Sequence, residues 1–219
     1  MPTAPQILGR ALPEAALPAV DVLTRLREQG HVALLAGGCV RDLLRSAPPD
    51  DYDVATDARP ERVTQLFRTT RQVGAQFGVV LVRARDCWVE VATFRQDGPY
   101  TDGRRPTGVT FGDARQDALR RDFTINGMFL DPASGDVLDY VGGRQDIAAR
   151  LVRAIGDPEQ RFTEDPLRLL RAVRFAARLQ FAIEPATLAS VRRDAGWLAR
   201  VAPERVLDEL ERMLTHPQR

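Results

Sequence analysis

The chain has 219 residues, 44% hydrophobic and 28% charged, with a net charge of +1. That length allows one large domain or two small ones around a packed core. No apolar run approaches the roughly 20 residues of a membrane span, and there is no charged-then-apolar leader, so no membrane is expected and the expected compartment is the cytoplasm. Cys39 and Cys87 form no CxxC, which argues against a disulfide framework or a zinc site. His31 and His216 are far apart in sequence, so a histidine triad is not expected either. Carboxylates, arginines and a metal are left to carry any chemistry. All 31 basic residues are arginine. Compositional bias explains that, although the planar guanidinium fork suits bases and phosphates.

In chain order, residues 1–12 carry prolines without a pattern and read as loosely ordered. Residues 18–29 form an amphipathic helix on Val20, Leu23 and Leu26, stopped by Gly30. Residues 32–36 read as a buried strand ended by Gly37-Gly38, with a helix start over 40–44 and helix to 45. A strand, two glycines and a helix N-terminus can seat a phosphate; the same glycines can equally be a tight turn. If residues 52–55 are a strand, Asp51 and Asp53 share a face about 7 Å apart, either as solvated turn residues or as two hard oxygen ligands for magnesium.

Residues 60–67 form a helix capped by Thr56-Asp57. Residues 79–83 and 88–93 read as a hairpin. Glu90, between Val89 and Val91, points away from both, to solvent or towards Asp51 and Asp53. Residues 96–112 read as a flexible loop and 113–126 as a helix carrying Arg120, Arg121 and Asp122. Short strands over 129–131 and 137–139, a helix over 144–150 and a last strand over 151–155 lead to a boundary at Gly156-Asp157-Pro158. Everything beyond reads as helical, with Thr163 capping a helix whose first turn holds Glu164 and Asp165, then helices over 185–198 and 203–214. On that first helix Arg168, Arg171, Arg174 and Arg178 share one sector, and Leu169, Leu170, Ala172, Val173, Ala176, Ala177 and Leu179 fill the other. The bland reading of the arginine face is a solvated surface with a Glu164–Arg168 ion pair.

Gly37-Gly38-Cys39-Val40-Arg41-Asp42 with Asp51-Tyr52-Asp53 resembles the opening motif of the class II (bacterial-type) tRNA nucleotidyltransferase and poly(A) polymerase family. Arg120-Arg121-Asp122-Phe123-Thr124-Ile125-Asn126, Asp139-Tyr140-Val141-Gly142-Gly143 and Glu164-Asp165-Pro166-Leu167-Arg168 agree in order and spacing, and the resemblance covers about residues 30–214. It implies an α+β fold: a mixed-sheet, polymerase-β-like nucleotidyltransferase head over residues 1–156, then an all-helical neck over 157–219, with the family's body and tail apparently absent.

The resemblance also implies roles. Asp51 and Asp53 would hold two Mg2+ ions, with Glu90 a candidate third acid. Gly37, Gly38 and Arg41 would hold the triphosphate, with Asp42 either orienting Arg41 or a surface charge. Arg121, Asp122 and Asn126 would contact the ribose, against a bland reading as cap and ion pair. Asp165 and Arg168 would read the Watson–Crick edge of the base, and Arg171 and Arg174 would face the triphosphate or the head–neck seam. Residues 96–112 would be the mobile loop that adenosine-adding members carry in full. The expected activity is Mg-dependent transfer of C and/or A from CTP and ATP to the 3′ end of tRNA or another RNA. The alternatives are A-only addition, poly(A) synthesis, or a non-catalytic nucleotide- or RNA-binding fragment. Residues 71–78 lack paired basic residues after the glycine, which leans towards tRNA end repair.

Overall fold

The computed structural model describes residues 6–7, 10–73, 78–100 and 107–215. Expectations falling on residues 1–5, 8–9, 74–77, 101–106 and 216–219 lie outside them. A two-residue pair, β1 (Gln6–Ile7) with β2 (Arg10–Ala11), precedes helix α1 (Leu17–Glu28), whose Val22, Leu23 and Leu26 are buried. Then come β3 (Ala33–Ala36), α2 (Gly38–Leu44), β4 (Asp53–Thr56), α3 (Pro60–Leu66), β5 (Thr70–Gln72), β6 (Val79–Ala84) and β7 (Cys87–Thr93). A small hairpin, β8 (Arg95–Asp97) with β9 (Val109–Phe111), leads to α4 (Ala114–Leu119). The strands β10 (Met128–Leu130) and β11 (Val137–Asp139), helix α5 (Gly143–Ala149) and β12 (Leu151–Val152) complete the head. The neck holds α6 (Pro158–Glu164), α7 (Leu167–Leu179), β13 (Ala182–Ile183), α8 (Pro185–Asp194) and α9 (Pro203–Leu214).

Seven strands form one twisted mixed sheet in the order β11-β10-β3-β4-β7-β6-β5. All pairings in it are antiparallel except β4 with β7. Valines on alternate positions of β4, β6 and β7 (Val54, Val80, Val82, Val89, Val91) pack under α1 and α3. Leu34, Ala36, Ala55, Phe94, Ala118 and Phe129 form a smaller cluster on the other side, with Phe94 and Phe129 edge to face at 5.6 Å. A third cluster joins head residues Phe123, Ile125 and Val152 to neck residues Phe162, Leu169, Phe175 and Leu179. Apolar burial is thus continuous across the expected boundary at residue 157.

Several local expectations are corrected. The helix expected over 113–126 ends at Leu119, because Phe123 turns out into an extended bridge with Ala154 and carries Arg120, Arg121 and Asp122 with it. Thr163 lies inside α6 rather than capping a helix, and Asp165-Pro166 breaks the chain before α7. Arg59, not Thr56 or Asp57, precedes α3. Asp57 instead accepts from the Val32 N–H. The neck is helical save for β13, which pairs in parallel with β12. The base of the 96–112 segment is the ordered β8–β9 pair rather than a structureless loop. The arginine sector of α7 faces inward: Arg168 and Arg174 are buried, whereas Val173 is 42% exposed.

The third cluster predicts that head and neck unfold together. Phe123→Ala, which empties the site where Phe123 meets Phe175 edge-on at 5.7 Å, should cost about 3–5 kcal/mol. In urea both parts should still melt in one transition with an unchanged slope.

Candidate active site

β3 runs through the middle of the sheet and stops at Gly37, whose φ of 71° and ψ of −124° lie where only glycine is comfortable. A Cβ there would also come within 2.9 Å of the Arg121 Nη1. The Gly37 N–H donates to the Met128 carbonyl at 3.1 Å, and α2 begins at the next residue. The antiparallel register sets Ala36 opposite Asp53, so Asp53 sits directly beside the glycine turn. The parallel register sets Val54 opposite Val91. Carried one residue back, it brings Asp53 beside Glu90, and alternation turns both away from the valine face. Asp51 lies outside β4, so strand alternation does not align it with Asp53 as expected; it reaches the same region from the preceding coil.

Electrostatics show that the three carboxylates are close. The Asp53 carboxyl is pushed up to about 7 by loss of hydration and then by the charges of Glu90 and Asp51, with Arg121 opposing. Glu90 is raised by loss of hydration and by Asp51, again against Arg121. The nearby Cys39 thiol is pushed to about 12, chiefly by burial, and is inert. Among the described residues none of Asp51, Asp53 and Glu90 makes an ion pair, and no three acidic, histidine or cysteine side chains are grouped closely enough to hold a metal ion by themselves. Arg121 is the nearest counter-charge, but its fork is held by Asp117 at 2.9–3.0 Å.

The remaining expected ligands belong to one network. The buried Arg41 forks onto Asp42 at 2.9 and 2.6 Å and donates to the Asn126 Oδ1 at 2.7 Å. The Asn126 amide donates to Asp122 at 3.1 Å, and Asp122 receives the Arg171 fork at 2.6–2.9 Å. Burial would raise Asp122, but the Arg171 charge and these hydrogen bonds hold it at about 2. Arg171 and Arg174 both reach Glu209 on α9. Phe175 lies among the guanidiniums of Arg41, Arg171 and Arg174 at 4.3–5.4 Å. Of the two readings of Asp42, orientation of Arg41 is the one that the geometry carries.

Arg168 pairs with Glu164 at 2.7 Å, as the bland reading expected, but across a helix break rather than within one helix. It also donates to the carbonyls of Arg161 and Arg120. Asp165 is held by the Arg205 fork at 2.8–3.2 Å. Glu164, Arg161, Arg120, Asp97 and Tyr100 line a cleft between the β8–β9 hairpin and α6. Sequence reasoning missed Asp117, Arg205 and Glu209. Asp117 and Arg121 have ion-pair spacing along a helix, and that signal was available. Arg205 and Glu209 meet their partners only through packing of α9 on α7.

Two family descriptions match: the poly A polymerase head domain over residues 33–153, and the probable RNA- and SrmB-binding site of polymerase A over 180–219. The chain is 43% identical over 204 residues to a CCA-adding enzyme of Limosilactobacillus fermentum, covering 93% of this chain and 51% of that protein. It is 44% identical over 197 residues to the CCA-adding enzyme of Bacillus subtilis, covering 90% and 49%. Its fold matches the crystal structure of the Bacillus stearothermophilus CCA-adding enzyme in complex with CTP, with a TM-score of 0.86 at 38% identity over 94% of this chain and 50% of that one. A tRNA nucleotidyltransferase complexed with a primer tRNA and an incoming ATP analog matches with a TM-score of 0.72 at 28% identity, over 88% and 57%. This chain therefore spans about half the length of the relatives it matches. With the head-domain description covering more than half of it, the chain belongs to the poly(A) polymerase head-domain family.

Proposed function

We propose that this chain is the head and neck of a template-independent nucleotidyltransferase that adds C and A to the 3′ end of tRNA. The observation that carries the reading is the trio Asp51, Asp53 and Glu90, held without ion-pair partners among the described residues beside a glycine turn, at a cost that a purely structural site would avoid. The naming of the relatives as CCA-adding enzymes supports the product, and the CTP complex supports the nucleotide substrates. The compartment proposed for this work on RNA is the cytoplasm. No helix among the described residues is long and apolar enough to cross a membrane.

The chemistry of the donor set suits a hard divalent cation: carboxylates with, among the described residues, no competing arginine fork. Asp51 and Asp53, with Glu90 beside them, would hold Mg2+, which when bound lowers the pKa of an attacking 3′-hydroxyl and neutralises triphosphate charge. The protein's own contribution is positional. The Gly37 turn lets backbone approach a phosphate closely, and Arg121 supplies a fixed positive charge opposite the carboxylates. Asn126 and Asp122, each locked by two or more partners, offer a rigid surface for a ribose. Asp165, oriented by Arg205, and Arg168, oriented by Glu164, would pair with the amino-donor and ring-acceptor edge that cytosine and adenine share, leaving guanine and uracil mismatched. The division at residue 157 separates the chemistry from this base-reading surface, while the shared core keeps the two in register.

The test is extension of a tRNA lacking its last three nucleotides, resolved at single-nucleotide length. Three additions requiring both CTP and ATP are expected, and an unbounded ladder from ATP alone would mean poly(A) synthesis instead. Asp51→Ala and Asp53→Ala should each lower turnover by at least about a thousandfold with an unchanged circular dichroism spectrum. Near-normal turnover in either would remove it from the site.

The raised Asp53 carboxyl gives a second test, of opposite sign for stability. Because its folded pKa of about 7 exceeds the ordinary 3.8, its ionisation destabilises the fold, and stability is lost as pH rises from about 4 to about 7. In magnesium-free buffer Asp53→Asn should therefore be more stable than the parent at pH 8, by on the order of 1–2 kcal/mol after solvent screening. The difference should shrink towards zero near pH 4. Thermal melts of both proteins across that range read it directly.

A further inference from the structure

Beyond the carboxylates, the sheet face that carries Glu90 continues outward over β7, β6 and the edge strand β5. Direct pairings set Leu81 opposite Glu90, Arg83 opposite Trp88 and Arg71 opposite Leu81. Directly paired residues share a face, and so do residues two apart in one strand. Glu90, Trp88, Leu81, Arg83 and Arg71 therefore all lie on one face, opposite the valines that α1 and α3 cover. On this open face Arg71 and Arg83 are exposed, and Trp88 and Leu81 are half-buried.

The chemistry of the patch is specific. The Arg71 guanidinium lies 4.4 Å from the centre of the Trp88 ring and that of Arg83 lies 5.6 Å from it. Arg83 has a weak partner in the almost fully exposed Asp86, at 3.3 Å. Among the described residues Arg71 has no carboxylate partner at all. The chain contains nearly as many acids as arginines, and most of its inward guanidiniums are forked onto carboxylates. Among the described residues Arg200 is likewise braced against an indole, that of Trp197, without a carboxylate partner, but of the two only Arg71 shares the sheet face that carries Glu90. Trp88 is two residues from Glu90, roughly 7 Å along the strand, and β5 is about 10 Å across the sheet. An aromatic ring flanked by arginine forks, running up to a transfer site, suits a flexible anionic polymer whose bases stack and whose phosphates pair.

Resting on the RNA-extending function proposed above, we propose that Trp88, Arg71 and Arg83 form the track that holds the single-stranded 3′ segment of the RNA as it approaches Asp51, Asp53 and Glu90. Trp88 and the guanidinium planes supply stacking surface, and the two forks hold successive phosphates. These are RNA-positioning residues with no part in nucleotide binding.

The experiment measures binding of a fluorescein-labelled 12-nucleotide single-stranded RNA ending in CC, by anisotropy, together with KM and kcat for extension of the truncated tRNA. Trp88→Ala should weaken RNA binding roughly tenfold, and Trp88→Phe should recover most of that loss. The Arg71→Ala/Arg83→Ala double variant should reduce the slope of log affinity against log salt by about 1 to 1.5. In each case KM for RNA should rise, while affinity for CTP stays within twofold. Arg25→Ala, on α1 beneath the opposite face, should bind as the parent does. If the parent binds and extends RNA but Trp88→Ala and the double variant match it, the track is wrong and the function stands. The track is equally wrong if Arg25→Ala loses as much as they do. If the parent neither binds nor extends RNA, the function itself fails and the track with it.

Discussion

Asp122 and Arg171 meet across the seam between the sheet and the neck, and much of the molecule hangs on that buried pair. A carboxylate taken out of water must be matched by a cation with good geometry, and removing one partner of such a pair typically costs several kcal/mol. Asp122 is matched three ways, by the Arg171 fork, by Asn126 and by the Phe123 N–H. Asn126 passes the constraint to Arg41 and so to the helix after the glycine turn, while Arg171 passes it to Glu209 and α9. Arg178 of α7 adds an outer tie to Asp50, next to Asp51. One charge network thus links the helix after the glycine turn to α7 and α9, and the aromatic and aliphatic core beneath it makes their spacing rigid.

The same pairing logic makes the exceptions informative. Asp42, Asp117, Asp122, Asp146 and Glu209 are all buried, and all are held by arginine. Asp51, Asp53 and Glu90 are crowded together with none among the described residues. Two strand registers, β3 with β4 and β4 with β7, set Asp53 beside the glycine turn and Glu90, and the valine face locks them, since a slip of one residue in β7 would turn Val89 and Val91 off the core face. Core packing on one side of the sheet therefore maintains electrostatic strain on the other. Arg71 and Trp88 are the mirror case, a cation held by a ring instead of an acid.

Much of this was legible in the residues. The glycine turn, the strands around it, the hairpin with Glu90 opposed to its valines, and most neck helices follow from period and punctuation. What was misread has a common cause. Arg120 to Asp122 look helical by composition, but Phe123 gains more by entering the neck core than by extending α4. The arginine face of α7 looks like a solvated surface on a helical wheel, because the wheel carries no information about Glu209, which lies 38 residues away from Arg171. Asp51 was aligned with Asp53 by a strand read over 52–55, whereas β4 begins only at Asp53.

The amino-acid sequence by itself determined the local frame: where strands end, where only glycine can turn, and which motifs stand in which order. Hydrophobic period and backbone sterics act between near neighbours and can be read from them. Only the tertiary structure decided which acids are neutralised and which are left bare. That outcome depends on strand order, on the parallel register of β4 with β7, and on which helix closes over α7. Each of these is set by packing between residues tens of positions apart.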